Sequence, residues 1–198
     1  MVPPRILYPG LWIKAPVAGW YLTFDDGPTP EITEAVLKLL DQYQIKASFF
    51  LSGAQIKKHP AFVSLYAKHG HTIGFHGHEH ENGFWKSTKW LQQNFTLPPG
   101  LESVRFFRAP YGRLWPWQYS NLRCMGQWVH WSFMAGDFYP LKHPGAQSAS
   151  FKKRLAQTSE NEIFVFHDSI KARHHLMWML QEVIETGIKK GVTFRVLS

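Results

Sequence analysis

One cysteine, Cys124, stands in 198 residues, so no internal disulfide can hold the chain and packing alone must sustain its core. No apolar run approaches the roughly 18 residues of a membrane-spanning helix, so no transmembrane segment is expected. Internal repeats and low-complexity segments are absent, which excludes solenoids and fibrous arrays. Acidic residues are the scarcer charge: 14 Asp and Glu against 22 Lys and Arg give a net +8. The surplus is nevertheless scattered in short groups (Lys57–Lys58, Lys152–Lys153–Arg154, Lys189–Lys190) with no arginine-rich arm. These read as solvated helix faces, and no nucleic-acid partner is expected. Prolines 3, 4, 9 and 16 with Gly10 interrupt the first residues, so no apolar h-region forms there. The expectation is a cytoplasmic protein, or one of the cell envelope if a leader has been removed. The oligomeric state is not indicated.

What is present has the balance of a globular chain: 44% hydrophobic, 18% charged and 16% aromatic residues, with 11 histidines that cluster rather than spread. The length suits a single domain over residues 1–198. Short apolar runs alternate with amphipathic stretches. Strands are expected at 20–24, 47–51, 71–75, 105–108, 127–131, 163–166 and 192–197. The spacing of Ile32, Ala35, Val36, Leu39, Leu40 and Tyr43 predicts a helix opened by Thr29 as N-cap and Pro30. Further helices are expected from Pro60, over 88–95, 117–123 and 146–156, and from Leu176 to Ile188. Alternating strands and helices with near-continuous apolar strands imply an α/β fold with a parallel sheet covered by helices. In under 200 residues this becomes a distorted or incomplete (β/α)7–8 barrel. Chemistry in such a barrel sits at the C-terminal strand ends.

Those ends carry ionisable groups. The first strand delivers Asp25 and Asp26, the third His76, His78 and His80, the next Arg108, Pro110 and Tyr111, and later ones Asp137, His167 and Asp168. His76 and His80 share a face if the segment turns helically, and with His78 if it stays extended. A neighbouring Asp would complete a two-His, one-carboxylate metal set. Either Asp25 or Asp26 can ligate while the other serves as a base, and Arg108 is a partner able to keep the pair ionised. A solvated Asp-Asp-Gly-Pro turn is the plain alternative. His167 at a strand mouth can act as a proton donor if a carboxylate, Asp137 or Asp168, raises its pKa. Alternation along a strand turns Asp168 away. His59, His69, His71, His130, His143, His174 and His175 read as surface or packing residues. Trp115, Trp117, Trp131 and Tyr111 near the mouth suit a sugar ring.

Thr23-Phe24-Asp25-Asp26-Gly27-Pro28 resembles the first motif of the polysaccharide deacetylase family, carbohydrate esterase family 4 with its NodB homology domain. His76-x-x-x-His80 resembles the second motif, and Arg108-Ala109-Pro110-Tyr111-Gly112 the third. Trp131 to Asp137-Phe138 resembles the fourth and Val165-Phe166-His167-Asp168 the fifth, so that the motifs span residues 20–168. The resemblance implies that Asp26, His76 and His80 hold a divalent metal, most often Zn2+, with Co2+ or Ni2+ as alternatives. It implies Asp25 as general base positioned by Arg108, the Tyr111 N–H in an oxyanion hole, and His167, tuned by Asp137, as general acid. Pro110, Tyr111, Trp131 and Phe138 would contact substrate, an acetylated glycan such as a chito-oligosaccharide or peptidoglycan. An amidase acting on a small non-sugar amide and a non-catalytic carbohydrate-binding protein are the alternatives. Three positions depart from the family pattern: Gly77 in place of Ser or Thr, Phe138 in place of Trp, and Val165 in place of Leu. The first is expected to loosen metal affinity, the others to reshape the groove.

Overall fold

The computed structural model describes residues 8–140 and 144–198, so the surface placing of His143 lies outside the described residues. In chain order the elements are β1 (Trp20–Asp25), α1 (Pro30–Gln42), β2 (Ser48–Leu51), α2 (Gly53–Lys58), α3 (Ala61–Lys68), β3 (Thr72–Phe75), α4 (Thr88–Asn94) and β4 (Phe106–Phe107). They continue with α5 (Pro116–Leu122), β5 (Gln127–Trp128), β6 (Phe133–Met134), α6 (Pro144–Ala156), β7 (Ile163–His167), α7 (Leu176–Lys189) and β8 (Phe194–Arg195). The strands form one sheet in the order β5-β4-β3-β2-β1-β7-β6, every pairing parallel, with β8 against the start of β1. This is the distorted (β/α) barrel expected. Among the described residues no helix is long and apolar enough to cross a membrane.

The apolar strands conceal a period of two that decides where chemistry lies. Leu22, Phe24, Phe49, Leu51, Phe75, Phe107, Phe164 and Phe166 pack outward with helix residues such as Val36, Leu40, Tyr66 and Leu180. Phe24 stacks on Phe49 at 4.8 Å and on Phe166 at 5.5 Å between ring centroids. Truncating one such ring to alanine costs about 3–5 kcal/mol in a typical core. The alternate positions Tyr21, Phe50, Phe106 and Ile163 form a second cluster inside the barrel. Following that inner face upward by twos leads from Tyr21 to Thr23 and Asp25, from Phe106 to Arg108, and from Ile163 to Val165 and His167. Gly74 belongs to the same face. A Cβ there would meet the Phe50 ring at 2.6 Å, so glycine is what lets that ring fill the interior.

Three local expectations need correction. Thr29 stands at the N-cap of α1 with Pro30 following, but its side chain makes no capping bond. Thr33 accepts the Thr29 N–H instead, at 2.9 Å. The run 127–131 is not one strand. β5 pairs with β4 through Trp128, Val129 N–H still bonds Phe107 O, and three residues later Ser132 N–H bonds Ile163 O on β7. The chain thus crosses from one sheet edge to the other and closes the ring without a ladder. The terminal strand is reduced to Phe194–Arg195. Beyond it Leu197, buried, accepts from Thr72 Oγ1 and donates its N–H to Ser48 Oγ, wedging the C-terminus under β2 and β3. α2, a six-residue helix, is not among the helices expected from the sequence.

Candidate active site and metal centre

The inner-face residues converge on a cleft of about 420 Å³ at the C-terminal strand ends. Asp25 ends β1 and is buried. Asp26 follows at φ 80°, a left-handed conformation that Asp tolerates better than most residues; Asp25 Oδ2 and Asp26 Oδ1 lie 3.8 and 3.7 Å from the same nitrogen, Nε2 of His76. Arg108 is fully buried beneath the cleft. It donates to Asp25 Oδ1 at 2.7 Å, to Thr23 Oγ1 at 2.8 Å, and to the carbonyls of Val129 and His130 at 3.1 and 2.9 Å. Its guanidinium also lies 4.1 Å from the Phe50 ring centroid. All this fixes the Asp25 carboxylate. Burial pushes the Asp25 pKa up, but the charges of Arg108, His76 and His167 outweigh it and hold the group below the usual carboxylate range.

His76 donates from Nδ1 to Arg108 O at 2.9 Å, which turns its other ring nitrogen toward Asp26. Nε2 of His76 lies 3.7 Å and Nε2 of His80 3.4 Å from Asp26 Oδ1. These gaps are too long for good hydrogen bonds. A tetrahedral ion with bonds of about 2.0–2.2 Å sets neighbouring donors about 3.3–3.6 Å apart, close to what is found. Asp26 Oδ1 is buried without a hydrogen-bond partner, and the three ligand atoms lie within 4.8 Å of one another. The donor set therefore fits a divalent metal. Burial lowers the His76 pKa, against the pull of Asp25 and Asp26, which favours the neutral ring a metal requires.

Neither geometry anticipated for the histidine motif occurs. Gly77 turns at φ 80°, the segment is neither helical nor extended, and the His78 ring goes the other way, against Gly53. What holds the loop is Asn94, the last residue of α4 and buried. Its Oδ1 accepts the Glu79 N–H at 2.6 Å, its Nδ2 donates to Glu79 O at 3.3 Å, and its carbonyl accepts the His78 N–H at 2.6 Å. A Cβ on Gly77 would lie 2.8 Å from Asn94 Nδ2. The glycine and the carboxamide are thus fitted to each other, a role the sequence reading missed.

Across Asp25 from His76 stands His167. Asp137, fully buried, accepts the His167 backbone N–H at 2.7 Å and its Nδ1–H at 2.9 Å. Burial lowers the His167 pKa. The Asp137 hydrogen bond and charge, with Asp25 and Asp26 behind, prevail and raise it to about 9. Asp168 turns to the outer face as expected, where Gly27 N–H, Thr33 Oγ1 and Tyr66 OH donate to it at 3.1, 2.6 and 3.3 Å.

Tyr111 (φ 59°), Trp131 and Phe138 line the cleft, Phe138 with its ring 4.7 Å from that of His167. Pro110 does not; it is buried under the turn that Tyr111 tops. Val165 is buried below His167 and shapes no groove. Trp115 is sandwiched between Phe84 and Trp117 at 4.3 and 4.9 Å, and neither Trp115 nor Trp117 lines the cleft. His130, grouped in the sequence reading with surface or packing residues, is buried beneath the Tyr111 turn: a Cβ on Gly112 would meet its Nε2 at 2.5 Å. Arg113, Met134, Tyr139, Ser169 and Lys171 also line the cleft. Their only sequence signal was closeness to the strand-end motifs.

A family model described as polysaccharide deacetylase matches residues 14–121. The chain is 28% identical over 183 residues to a peptidoglycan-N-acetylglucosamine deacetylase of Bacillus cereus, covering 89% of this chain and 85% of that one. It is 34% identical over 167 residues to a chitooligosaccharide deacetylase of Azorhizobium caulinodans, 80% of this chain and 77% of that one. A solved peptidoglycan N-acetylglucosamine deacetylase superposes with a TM-score of 0.81 at 25% identity, covering 94% of this chain and 90% of that one.

Proposed function

Because the chain belongs to the polysaccharide deacetylase family, we propose that it hydrolyses N-acetyl groups on an amino-sugar polymer or oligomer, a peptidoglycan glycan or a chito-oligosaccharide. The observation that carries this reading is the juxtaposition of an Arg108-locked Asp25 with an Asp137-backed His167 beside the Asp26–His76–His80 donor set. A binding module has no use for a poised base and acid facing each other.

Asp26, His76 and His80 would hold the metal, zinc first, with cobalt or nickel as alternatives. When bound, it supplies Lewis acidity toward the acetyl carbonyl and lowers the pKa of water. Asp25, ionised through Arg108, accepts a proton from the attacking water as its oxygen adds to the acetyl carbon. The Tyr111 N–H donates to the carbonyl oxygen as negative charge builds there. His167, as imidazolium, gives its proton to the amide nitrogen, so the C–N bond breaks to a free amine instead of returning water. Asp137 keeps the His167 ring in the orientation and protonation state this step needs. Trp131 and Phe138 wall the sugar in.

Acetate release tests the reading. The purified protein, supplied with zinc or cobalt, is offered N-acetylated chito-oligomers, peptidoglycan fragments, acetylated xylan and small amides. Release from the amino-sugar substrates is expected. Release from the small amides alone would make it an amidase of another substrate class. Binding of the glycans without any release would make it a carbohydrate-binding protein.

A further inference from the structure

Tyr111 and Gly112 are consecutive left-handed residues, at φ 59° and 63°. For glycine that conformation carries no steric penalty, whereas for tyrosine it persists only where the surroundings hold it. The turn's own backbone bonds are Gly112 N–H to Ala109 O at 2.9 Å and a longer one, Arg113 N–H to Pro110 O at 3.5 Å. Support comes from below, where His130 is buried. Its ring lies flat on that of Trp131, with 3.9 Å between centroids and 22° between planes. A Cβ on Gly112 would meet His130 Nε2 at 2.5 Å and the Trp131 ring at 2.6 Å, so the backbone of the turn rests directly on the two rings. His130 is itself anchored. Its N–H donates to Trp12 O at 2.7 Å, and its carbonyl accepts from Arg108, the residue that fixes Asp25, at 2.9 Å. The ring hydrogen-bonds the Trp131 carbonyl through Nδ1 at 3.1 Å and also the Gly112 backbone. Burial outweighs those two bonds and lowers the His130 pKa to about 4, so the ring is neutral and has one N–H to offer.

We propose that His130 is a positioning residue for the reaction: its Nε2, set against Gly112, holds the Tyr111 peptide where its N–H meets the acetyl oxygen as charge builds. The proposal rests on the deacetylase reading and adds a residue to that same site. His130 does not line the cleft, so it acts through the turn. Of its two partners, Gly112 carries the effect. Trp131 is the next residue in the chain and stays beside His130 whatever the ring does. Gly112 belongs to another loop, and the ring is what ties the two loops together there. The bonds of His130 to Arg108 and Trp12 are made by its backbone, so replacing the ring leaves the Asp25 carboxylate in place. A group misplaced by about 1 Å can cost about 100-fold in rate. A donor engaged only as charge builds on the oxygen affects kcat rather than KM.

The test compares His130→Gln, His130→Asn and His130→Ala, since a Gln amide falls near the position of Nε2 and an Asn amide near that of Nδ1. On the amino-sugar substrate that the wild type turns over, the Asn and Ala variants are expected to lose about 10–100-fold in kcat. Their KM and zinc affinity should stay near wild type, and the Gln variant should recover most of the rate. Both limbs of the pH profile should stay in place in all three, because Asp25 and His167 keep their partners. A methylphosphonamidate of the amino sugar, whose tetrahedral oxygens mimic the addition intermediate, should lose affinity in the same order as kcat. Equal kcat in the Gln and Asn variants, or a loss in KM or zinc affinity in place of kcat, overturns the proposal. Crystal structures of the variants decide without turnover: Tyr111 should stay left-handed with Gln and leave that conformation with Asn and Ala. A Tyr111 unchanged in the Ala variant also overturns the proposal. If the wild type releases no acetate from any substrate, the deacetylase reading fails, and the structures still decide whether His130 holds the turn.

Discussion

At the end of β1 adjacent carboxylates enter different surroundings, Asp25 sealed against Arg108 and Asp26 turned to two imidazoles. Asp26→Ala should therefore purify without metal, whereas Asp25→Asn should retain it and lose about 10²–10⁴-fold in kcat. Metal analysis of both purified variants checks this, and equal loss in the two would sink the division of roles. Asn94 offers a second test. Gly77 lacks the hydroxyl whose absence is expected to loosen metal affinity. The loop is gripped instead by a carboxamide from another element, which motif spacing could not reveal. Asn94→Ala should weaken metal binding about 10–100-fold, the usual scale for groups that orient ligands, measured by chelator competition. Asn94→Asp, able to accept from Glu79 N–H but not to donate to its carbonyl, should fall between. Gly77→Ser should be harmful alone, where its Cβ crowds Asn94, and milder in the Asn94→Ala background. Additive effects would show that the two positions are not coupled.

Among the elements, those with a long periodic pattern were legible in the sequence: α1 and α7 fall close to their expected spans because amphipathic spacing is a local property. The crossing from β5 to β6 was not: residues 127–131 look like one strand, yet bonding to β4 ends with Val129 and bonding to β7 begins at Ser132. The join between β1 and α1 is secured from outside both, by Asp168 at the end of β7. Burial raises the Asp168 pKa to about 7 from 3.8, against the hydrogen bond from Thr33. Between those values the folded chain binds a proton that the unfolded chain has released. The stabilising contribution is complete below about pH 4 and is lost as pH rises through 7. Urea melts from pH 4 to 7 should thus show wild-type stability falling more steeply than that of Asp168→Asn. Parallel curves for the two proteins would mean that Asp168 is ionised throughout.

On the scale of the whole molecule, the barrel's parallel register makes neighbours of residues far apart in the chain: Asp25 pairs directly with His167 across β1 and β7, at one height and on one face. Motifs announced both residues as chemical, yet only register, which depends on the packing of every intervening element, sets the carboxylate beside the imidazole. The proposed mechanism requires Asp25 without its proton and His167 with one, so kcat/KM should be bell-shaped in pH. With the His167 pKa raised to about 9, the alkaline limb should lie well above the usual imidazole range. In Asp137→Asn the upward pull of the Asp137 charge disappears while the downward pull of burial remains. The His167 pKa must fall, and the alkaline limb should move toward lower pH. The acidic limb belongs to groups that Asp137 does not touch and should stay in place. Because the substitution also disturbs the bond to the His167 N–H, the rate at the optimum will drop as well. The decisive quantity is the position of the limb rather than its height. An alkaline limb unmoved in Asp137→Asn would remove Asp137 from the proton-donating machinery and leave it a purely structural anchor for the end of β7.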